Sequence, residues 1–439
     1  MFRSIGVVLA LLATTLVPVS ASAQKNVTPN ITISRAQLTA DGKPFTPRGT
    51  NYIRLTSDGA ATPYWYISTF EPGLYNPTAV RNMLGQLSYD KYNTVRTFID
   101  IGNERNDGQG SVHGMGRGMS DNRPVNPEYM DNVADFVRAA KERNIYVIPV
   151  LYRFPQNCYY YTIVQNGGVC GTNALTVNVA GRNALYIDKG HVNAKAEYLK
   201  QFSSALISRL GSSNGIFGYA SDNEGYFEAN KAPFATMAGT VVGSDNRTYS
   251  MSVPAERQAV ADNSFANYTT KVKAGLRAGD PNGKLIVGLY SLFAVNKTSF
   301  DGFATYCSND CNPAIDYRYP VRGKVADVDI IDVHFYPRNA NTGYTVQNDF
   351  NTVEYKQFVK PWFVGEMGAH RSFYGNDITS AAYAMRDAQT AACKLGSKGS
   401  LFWTFDTQDN DDQRYLFSLS ESGGAINGVL APIANPTFC

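Results

Sequence analysis

Neither charge is in excess in this sequence: 40 lysines and arginines face 37 aspartates and glutamates, a net of +3 over 439 residues, and the basic residues are scattered without a block. Such balance argues against nucleic acid or an anionic membrane surface as a partner. Histidine is scarce too. The four histidines, His113, His191, His334 and His370, form no His-x-His or His-Glu-x-x-His cluster, and the 6 cysteines contain no Cys-x-x-Cys pair. No metal centre and no cofactor is therefore expected. Tryptophan is limited to 3 residues. No Pro/Ser/Gly linker or low-complexity tract divides the chain, which favours one large domain over two. Beyond the N-terminus no apolar run approaches the roughly 20 residues that a membrane span requires.

The N-terminus itself is distinctive. Arg3 precedes an apolar run from about Ile5 to Val19, and Ala21-Ser22-Ala23 follows ahead of Gln24. This pattern predicts a secretory signal over residues 1–23 and a soluble mature domain over 24–439, secreted to the extracellular space or the periplasm. An even number of cysteines in an exported chain favours disulfides. Adjacency suggests Cys158 with Cys170, Cys307 with Cys311, and Cys393 with Cys439. Aromatics are plentiful, with 28 tyrosines and 23 phenylalanines. Their faces suit sugar rings, although core and cleft packing accounts for most of them.

Short β-branched or apolar runs bounded by Gly, Asn or Asp occur at residues 48–53, 93–99, 145–151, 216–222, 284–290, 327–334, 361–366 and 399–404. Helical periodicity lies between them. It is clearest over Glu128 to Arg143, with Val133, Phe136, Val137 and Ala140 on one face, and over Val192 to Leu210, with Tyr198, Phe202, Ala205 and Leu206. Strand and helix alternate, which predicts parallel strands with crossover helices; eight of them predict a closed α/β (β/α)₈ TIM barrel. An open doubly wound sheet is the rival, disfavoured because no Gly-x-Gly-x-x-Gly follows the first strand. Long connections after strands, Gly102 to Pro127 and Arg153 to Gly190, would wall a cleft at the C-terminal face.

Two strings place a glutamate where an apolar strand runs out: Ser221-Asp222-Asn223-Glu224-Gly225-Tyr226 and Phe363-Val364-Gly365-Glu366-Met367-Gly368. Cleaving an acetal requires one acid to protonate the leaving oxygen and one carboxylate to meet the developing positive charge at carbon. Glu224, after the fourth strand, and Glu366, at the end of the seventh, are the candidate catalytic pair. The pattern Gly211-Ser212-Ser213-Asn214-Gly215 fits Gly-x-Ser-x-Gly, but it precedes a strand instead of following one, so it is read as a loop at the barrel floor. The acidic stretch Asp406 to Asp412 is read as an exposed loop in preference to a calcium site.

In order and placement these residues resemble the retaining β-glycosidases of glycoside hydrolase clan A, with cellulase- and mannanase-like barrels closest. Gly42-Lys43-Pro44-Phe45 with Arg48-Gly49-Thr50-Asn51-Tyr52 resembles that group's opening strand, and Asn93-Thr94-Val95-Arg96-Thr97-Phe98 its second. Asn223-Glu224, His334-Phe335-Tyr336, Gly365-Glu366 and Phe402-Trp403 resemble its fourth, sixth, seventh and eighth strand ends. The resemblance implies double displacement, with Glu366 as nucleophile and Glu224 as acid/base. Arg96 would keep Glu366 ionised and Tyr336 would donate a hydrogen bond to it. His334 lies on the same side of the strand as Tyr336, Asn223 would bind the sugar hydroxyl beside the reacting carbon, and Trp403 would floor the site. Two departures stand out: Arg153 ends the third strand where many relatives carry histidine, and Gly225-Tyr226 follows Glu224 where they usually carry proline. Strict alternation also sends Asn223 and Glu224 to opposite faces, so both can serve one site only if the chain leaves the pleat there.

Each residue has a plainer role open to it. Arg96 could be a structural ion pair, His334 a satisfied core histidine, Tyr336 and Trp403 packing, Asp222 and Asp406 structural. The expected function is a secreted, monomeric retaining β-glycoside hydrolase acting on a neutral carbohydrate of β-mannan or β-glucan type. Tyr64, Trp65, Tyr66 and Tyr159 to Tyr161 are candidate sugar-facing aromatics. A transglycosylase sharing the intermediate and a non-catalytic carbohydrate-binding barrel are the alternatives.

Overall fold

Eight short segments of β-branched and aromatic residues, each buried along its length, pair in parallel and close on themselves in the computed structural model. It describes residues 28–34, 36–57, 59, 65–102, 114–116, 120–168, 170, 179–289, 318–337, 345–406 and 414–439. The barrel strands are β1 (Arg48–Tyr52), β2 (Thr94–Phe98), β3 (Tyr146–Val150), β4 (Tyr219–Ala220), β5 (Leu285–Leu289), β6 (Ile330–Phe335), β7 (Trp362–Met367) and β8 (Ser400–Phe402). Ring closure pairs Ser400 of β8 with Arg48 of β1. All eight coincide with the apolar runs read from sequence, and the fold is a (β/α)₈ TIM barrel. The export segment, Cys307 with Cys311, His113, Tyr64 and the stretch following Asp406 lie outside the described residues.

Helices α1 (Pro77–Tyr89), α2 (Pro127–Lys141), α3 (Cys158–Val164), α4 (Asn183–Ile187), α5 (Lys189–Leu210), α6 (Pro254–Gly279), α7 (Val346–Thr352) and α8 (Ile378–Lys394) flank the sheet. Their apolar stripes pay for the ordering of the layer: Val133, Phe136, Val137 and Ala140 of α2, and Tyr198, Phe202 and Leu206 of α5, are buried against the strands. Helix ends follow local chemistry. Asn76 accepts from the Ala79 N–H at the start of α1, Asp188 accepts from the His191 N–H at the start of α5, and Gly211 ends α5 in the left-handed region. No helix among the described residues is long and apolar enough to cross a membrane.

The barrel interior is filled at its N-terminal end by Ile148, Phe217, Ile286, Ile330, Phe363 and Leu401, plugged from below by Ile31 and Leu38 of a short antiparallel hairpin. That packing leaves the opposite end of the strands free to carry polar groups. The C-terminal segment is tied back by the Arg48 guanidinium, which donates to the carbonyls of Leu430 and Asn435. A Cys393–Cys439 disulfide also holds it, with Cα atoms 5.5 Å apart. The second predicted bridge, Cys158–Cys170, spans 5.3 Å between Cα atoms and anchors α3.

Candidate active site

Strand register brings the candidate residues together. Asn51 of β1 lies opposite Arg96 of β2, and a register shift after Val333 sets His334 of β6 opposite Glu366 of β7. A second irregularity, between Val364 and Met367, frees the same residue from regular pairing with β8. Gly365 makes room for this arrangement. A Cβ built on it would fall 2.0 Å from the Asp332 carboxylate, so no larger residue fits between Asp332 and β7.

Arg96 is the hub. Fully buried, it donates to Glu366 Oε1 at 2.6 Å, Asn51 Oδ1 at 3.0 Å and Asn223 Oδ1 at 2.8 Å, and its Nε pairs with Asp332 Oδ2 at 3.2 Å. Asn51 is fixed in turn by donating to the Gly365 carbonyl at 2.8 Å. On the other oxygen, Glu366 accepts from the Tyr336 hydroxyl at 2.8 Å. His334 joins both glutamates: its Nδ1 lies 3.2 Å from Glu224 Oε1 and 3.4 Å from Glu366 Oε2, while Nε2 lies 3.4 Å from Asp332 Oδ2.

Glu224 reaches the cluster because the chain leaves the sheet. Strand β4 ends at Ala220, and Glu224 takes a left-handed φ of 49°, so Asn223 and Glu224 both turn inward. Two groups hold this turn. Asp222, fully buried, caps the Asn223 N–H at 2.9 Å and pairs with Arg182 at 3.1 Å; Arg182 also donates to the Asn223 carbonyl. Gly225 then donates its N–H to the Gly288 carbonyl of β5 at 2.8 Å. A proline at this position has no N–H to give, so the bond excludes proline here.

The electrostatics follow from this geometry. Burial disfavours the His334 imidazolium, but the charges of Glu366 and Asp332 outweigh it and lift the ring to about 10. Burial likewise pushes Asp332 up, yet His334 and Arg96 win and hold it below the usual aspartate range. For Glu366, burial pushes the carboxyl above the ordinary glutamate range and Glu224 adds to it, while His334, Arg96 and Tyr336 oppose. Two cations, Arg96 and His334, thus face three acids, Asp332, Glu224 and Glu366. The cluster is neutral when the two glutamates share one proton, and that proton titrates as a property of the pair.

One donor atom each from Glu224, His334 and Glu366 lie within 4.8 Å of one another. Such a set could hold a cation, and the same proximity meets the demand of two-carboxylate chemistry. Trp403 sits at the end of β8, largely buried and edge-on to Phe98 at 5.6 Å, in the same cluster as Tyr336. Tyr160 belongs to the core and donates to the Pro124 carbonyl, so it does not face a sugar; Tyr161 lines a cavity beside β3 and β4. Asp406 pairs with Arg54 at 3.7 Å. Sequence reasoning missed Asn51, Asp332 and Arg182. Asp332 carried a signal: a charge in the middle of the apolar run Ile330 to Phe335 requires a buried partner.

The fold recurs in solved structures. An endo-1,4-beta-mannanase from Rhizomucor miehei superposes with a TM-score of 0.55 at 15% identity, over 93% of this chain and 99% of that one. An exo-beta-1,4-mannosidase from Opitutaceae bacterium strain TAV5 gives 0.54 at 15% identity over 92% of this chain, which spans 62% of that protein's length. A GH5-4 broad specificity endoglucanase from an uncultured bacterium gives 0.52 at 14%, over 89% of this chain and 94% of that one. No curated protein sequence matches the chain. The family described as Cellulase (glycosyl hydrolase family 5) matches residues 40–404, which hold all eight barrel strands and both glutamates. The chain therefore belongs to glycosyl hydrolase family 5 and is a β-glycoside hydrolase.

Proposed function

We propose that this chain is an exported, retaining β-glycoside hydrolase that cleaves a β-mannan or β-glucan chain by double displacement. The observation that carries the mechanism is the distance between the carboxylates. Oxygens of Glu224 and Glu366 approach within 4.8 Å, near the roughly 5–5.5 Å of retaining enzymes and short of the roughly 6.5–9.5 Å that an intervening water requires. Export is supported by the signal pattern and by the disulfides Cys158–Cys170 and Cys393–Cys439.

In the first step Glu366 attacks the anomeric carbon while Glu224 passes its proton to the departing glycosidic oxygen, leaving a glycosyl ester on Glu366. In the second, Glu224, now ionised, takes a proton from water, whose oxygen attacks the same carbon and releases Glu366. The hydrogen bonds support this division of roles. Arg96 and Tyr336 both donate to Glu366 and so favour its anion, whereas Glu224 is more exposed, with His334 Nδ1 at 3.2 Å from its Oε1. The shared proton therefore resides on Glu224 before each cycle. Asn223 offers its Oδ1 to Arg96, which turns its amide N–H groups toward the substrate, where a sugar hydroxyl can accept. Trp403 provides the floor.

The substrate class draws on the mannanases and the endoglucanase that share this barrel. A screen of β-linked polysaccharides, run in parallel with Glu366→Ala, tests the reading: wild type releases sugar and the variant loses at least about 10⁴-fold in kcat. Proton NMR of the first product is expected to show the β anomer. Undiminished activity in the variant, or an α product, would overturn it.

A further inference from the structure

The cavity that Tyr161 lines, of about 400 Å³, lies outside the ends of β3 and β4, within the size range of small-molecule sites. Its wall includes Arg153, Tyr161, Arg182, Tyr226, Glu228 and Lys231. It adjoins the Glu224 side of the active site: Tyr226 follows Glu224 by two positions, and Arg182, which carries the Tyr226 ring 4.3 Å from its guanidinium, also grips the Asn223 carbonyl.

The charges of the wall are unequal. Arg182 is answered by Asp222, while Glu228 accepts from the Arg182 backbone N–H at 2.6 Å and keeps its charge, one carboxylate against the two further cations Arg153 and Lys231. Across the wall His191 is paired with Asp188 at 2.7 Å. Arg153 and Lys231 have no carboxylate or hydrogen-bond partner for their side-chain cations among the described residues. Arg153 is not a loosely tethered surface arginine either. It is half-buried, its backbone holds a left-handed φ of 55°, its guanidinium lies 5.1 Å from the Tyr152 ring, and buried Lys195 donates to the carbonyls of Leu151 and Arg153.

We propose that this cavity binds an acidic sugar, a hexuronosyl unit of the substrate chain, on the leaving-group side of Glu224. A guanidinium fork and an ammonium suit a carboxylate, and the rings of Tyr161 and Tyr226 suit the pyranose that carries it. The leaving-group side follows from the proposed function, on which this assignment rests: the acid must touch the glycosidic oxygen, so the departing sugar lies beside Glu224. The enzyme then prefers β-glycans carrying uronic acid to their neutral equivalents.

The test is equilibrium binding of methyl β-D-glucuronide and methyl β-D-glucoside to the full-length wild type, to Arg153→Gln and to Lys231→Gln, with thermal unfolding as the check on folding. Wild type is expected to bind the glucuronide at least about tenfold more tightly at low salt, and each variant to lose about tenfold of that advantage, the size of one charge-assisted hydrogen bond. Should a variant fold poorly, the salt dependence of the wild type decides instead, because an exposed charge contact weakens as the Debye length shrinks. Equal binding of the two glycosides, or a preference insensitive both to the substitutions and to salt, overturns the assignment. The polysaccharide screen fails distinguishably: a glucuronide preference without hydrolysis removes the catalytic reading and the leaving-group placement but keeps the acidic-sugar site, and hydrolysis without the preference removes this site alone.

Discussion

The two carboxylates of the cleft are held in opposite ways. Glu366 belongs to a six-residue strand, is almost fully buried and receives hydrogen bonds from Arg96 and Tyr336 on separate oxygens. Glu224 follows a two-residue strand, stands in a left-handed turn and is more exposed, with His334 its neighbour in the cluster. A group that keeps one charge state through a cycle can be fixed on every side. One that gives up and regains a proton needs a partner able to tolerate both states and a path to water. The asymmetry of the scaffold thus matches the asymmetry of the proposed roles.

Replacing the acid side should expose that asymmetry most strongly after loss of the nucleophile. Glu224→Gln is expected to lower kcat/KM, which reports the first step, about 10²- to 10⁴-fold on natural glycosides and far less on aryl glycosides whose leaving group needs no proton. The pH profile adds a sign. Burial and Glu224 push Glu366 upward, so the pair holds its shared proton to higher pH than isolated glutamates would. Wild-type activity on natural glycosides falls as rising pH removes that proton, and the alkaline decline should vanish in Glu224→Gln. An unchanged alkaline limb would assign the proton elsewhere.

On the Glu366 side the corresponding break is Arg96→Met. It leaves Glu366 and Asp332 buried without their guanidinium, and removal of one partner from a buried pair costs about 3–5 kcal/mol. Urea unfolding of the variant checks this; a loss below about 1 kcal/mol, in the range of exposed pairs, would mean that the cluster is far more hydrated than its burial indicates.

His334 lies between the two sides and sharpens the comparison through pH. Its folded-state pKa is lifted from 6.5 to about 10 by Glu366 and Asp332 against the opposing effect of burial. The stability it contributes is fully present below pH 6.5 and is lost as pH rises through about 10. The unfolding free energy of wild type minus that of His334→Gln should therefore shrink across this window. A difference that stays flat with pH would show the imidazole to be neutral throughout.

Much of this was legible in the sequence, and unevenly so. The barrel strands were readable because each is a short apolar run closed off by Gly, Asn or Asp, and burial of a strand in a parallel sheet demands that run. Glu224 and Glu366 were readable as strand-end residues, and Arg96, Asn223, His334 and Tyr336 through the resemblance to clan A barrels; the structure joins all six through hydrogen bonds or ion pairs. Arg182 was not readable, since its partners Asp222 and Asn223 lie about 40 positions away and nothing local marks the pairing. Asn51 was quoted only as part of a strand, because its role depends on the register of β1 against β2. The inward turn of Asn223 and Glu224 was posed by the alternation rule as a conflict, and only the backbone resolves it.

The smallest expected effect tests that turn. Gly225→Pro removes the N–H that Gly225 donates to the Gly288 carbonyl at 2.8 Å. It also disfavours helical backbone in the preceding residue, and Glu224 occupies the left-handed helical region at φ 49°. The buried carbonyl left without its donor costs about 1–3 kcal/mol, which thermal unfolding would register. Because the turn aims Glu224 and not Glu366, the accompanying loss of kcat/KM, which reports the first step, should be confined to substrates that need a protonated leaving group. An equal loss on activated aryl glycosides would show that the two sides of the cleft are mechanically one.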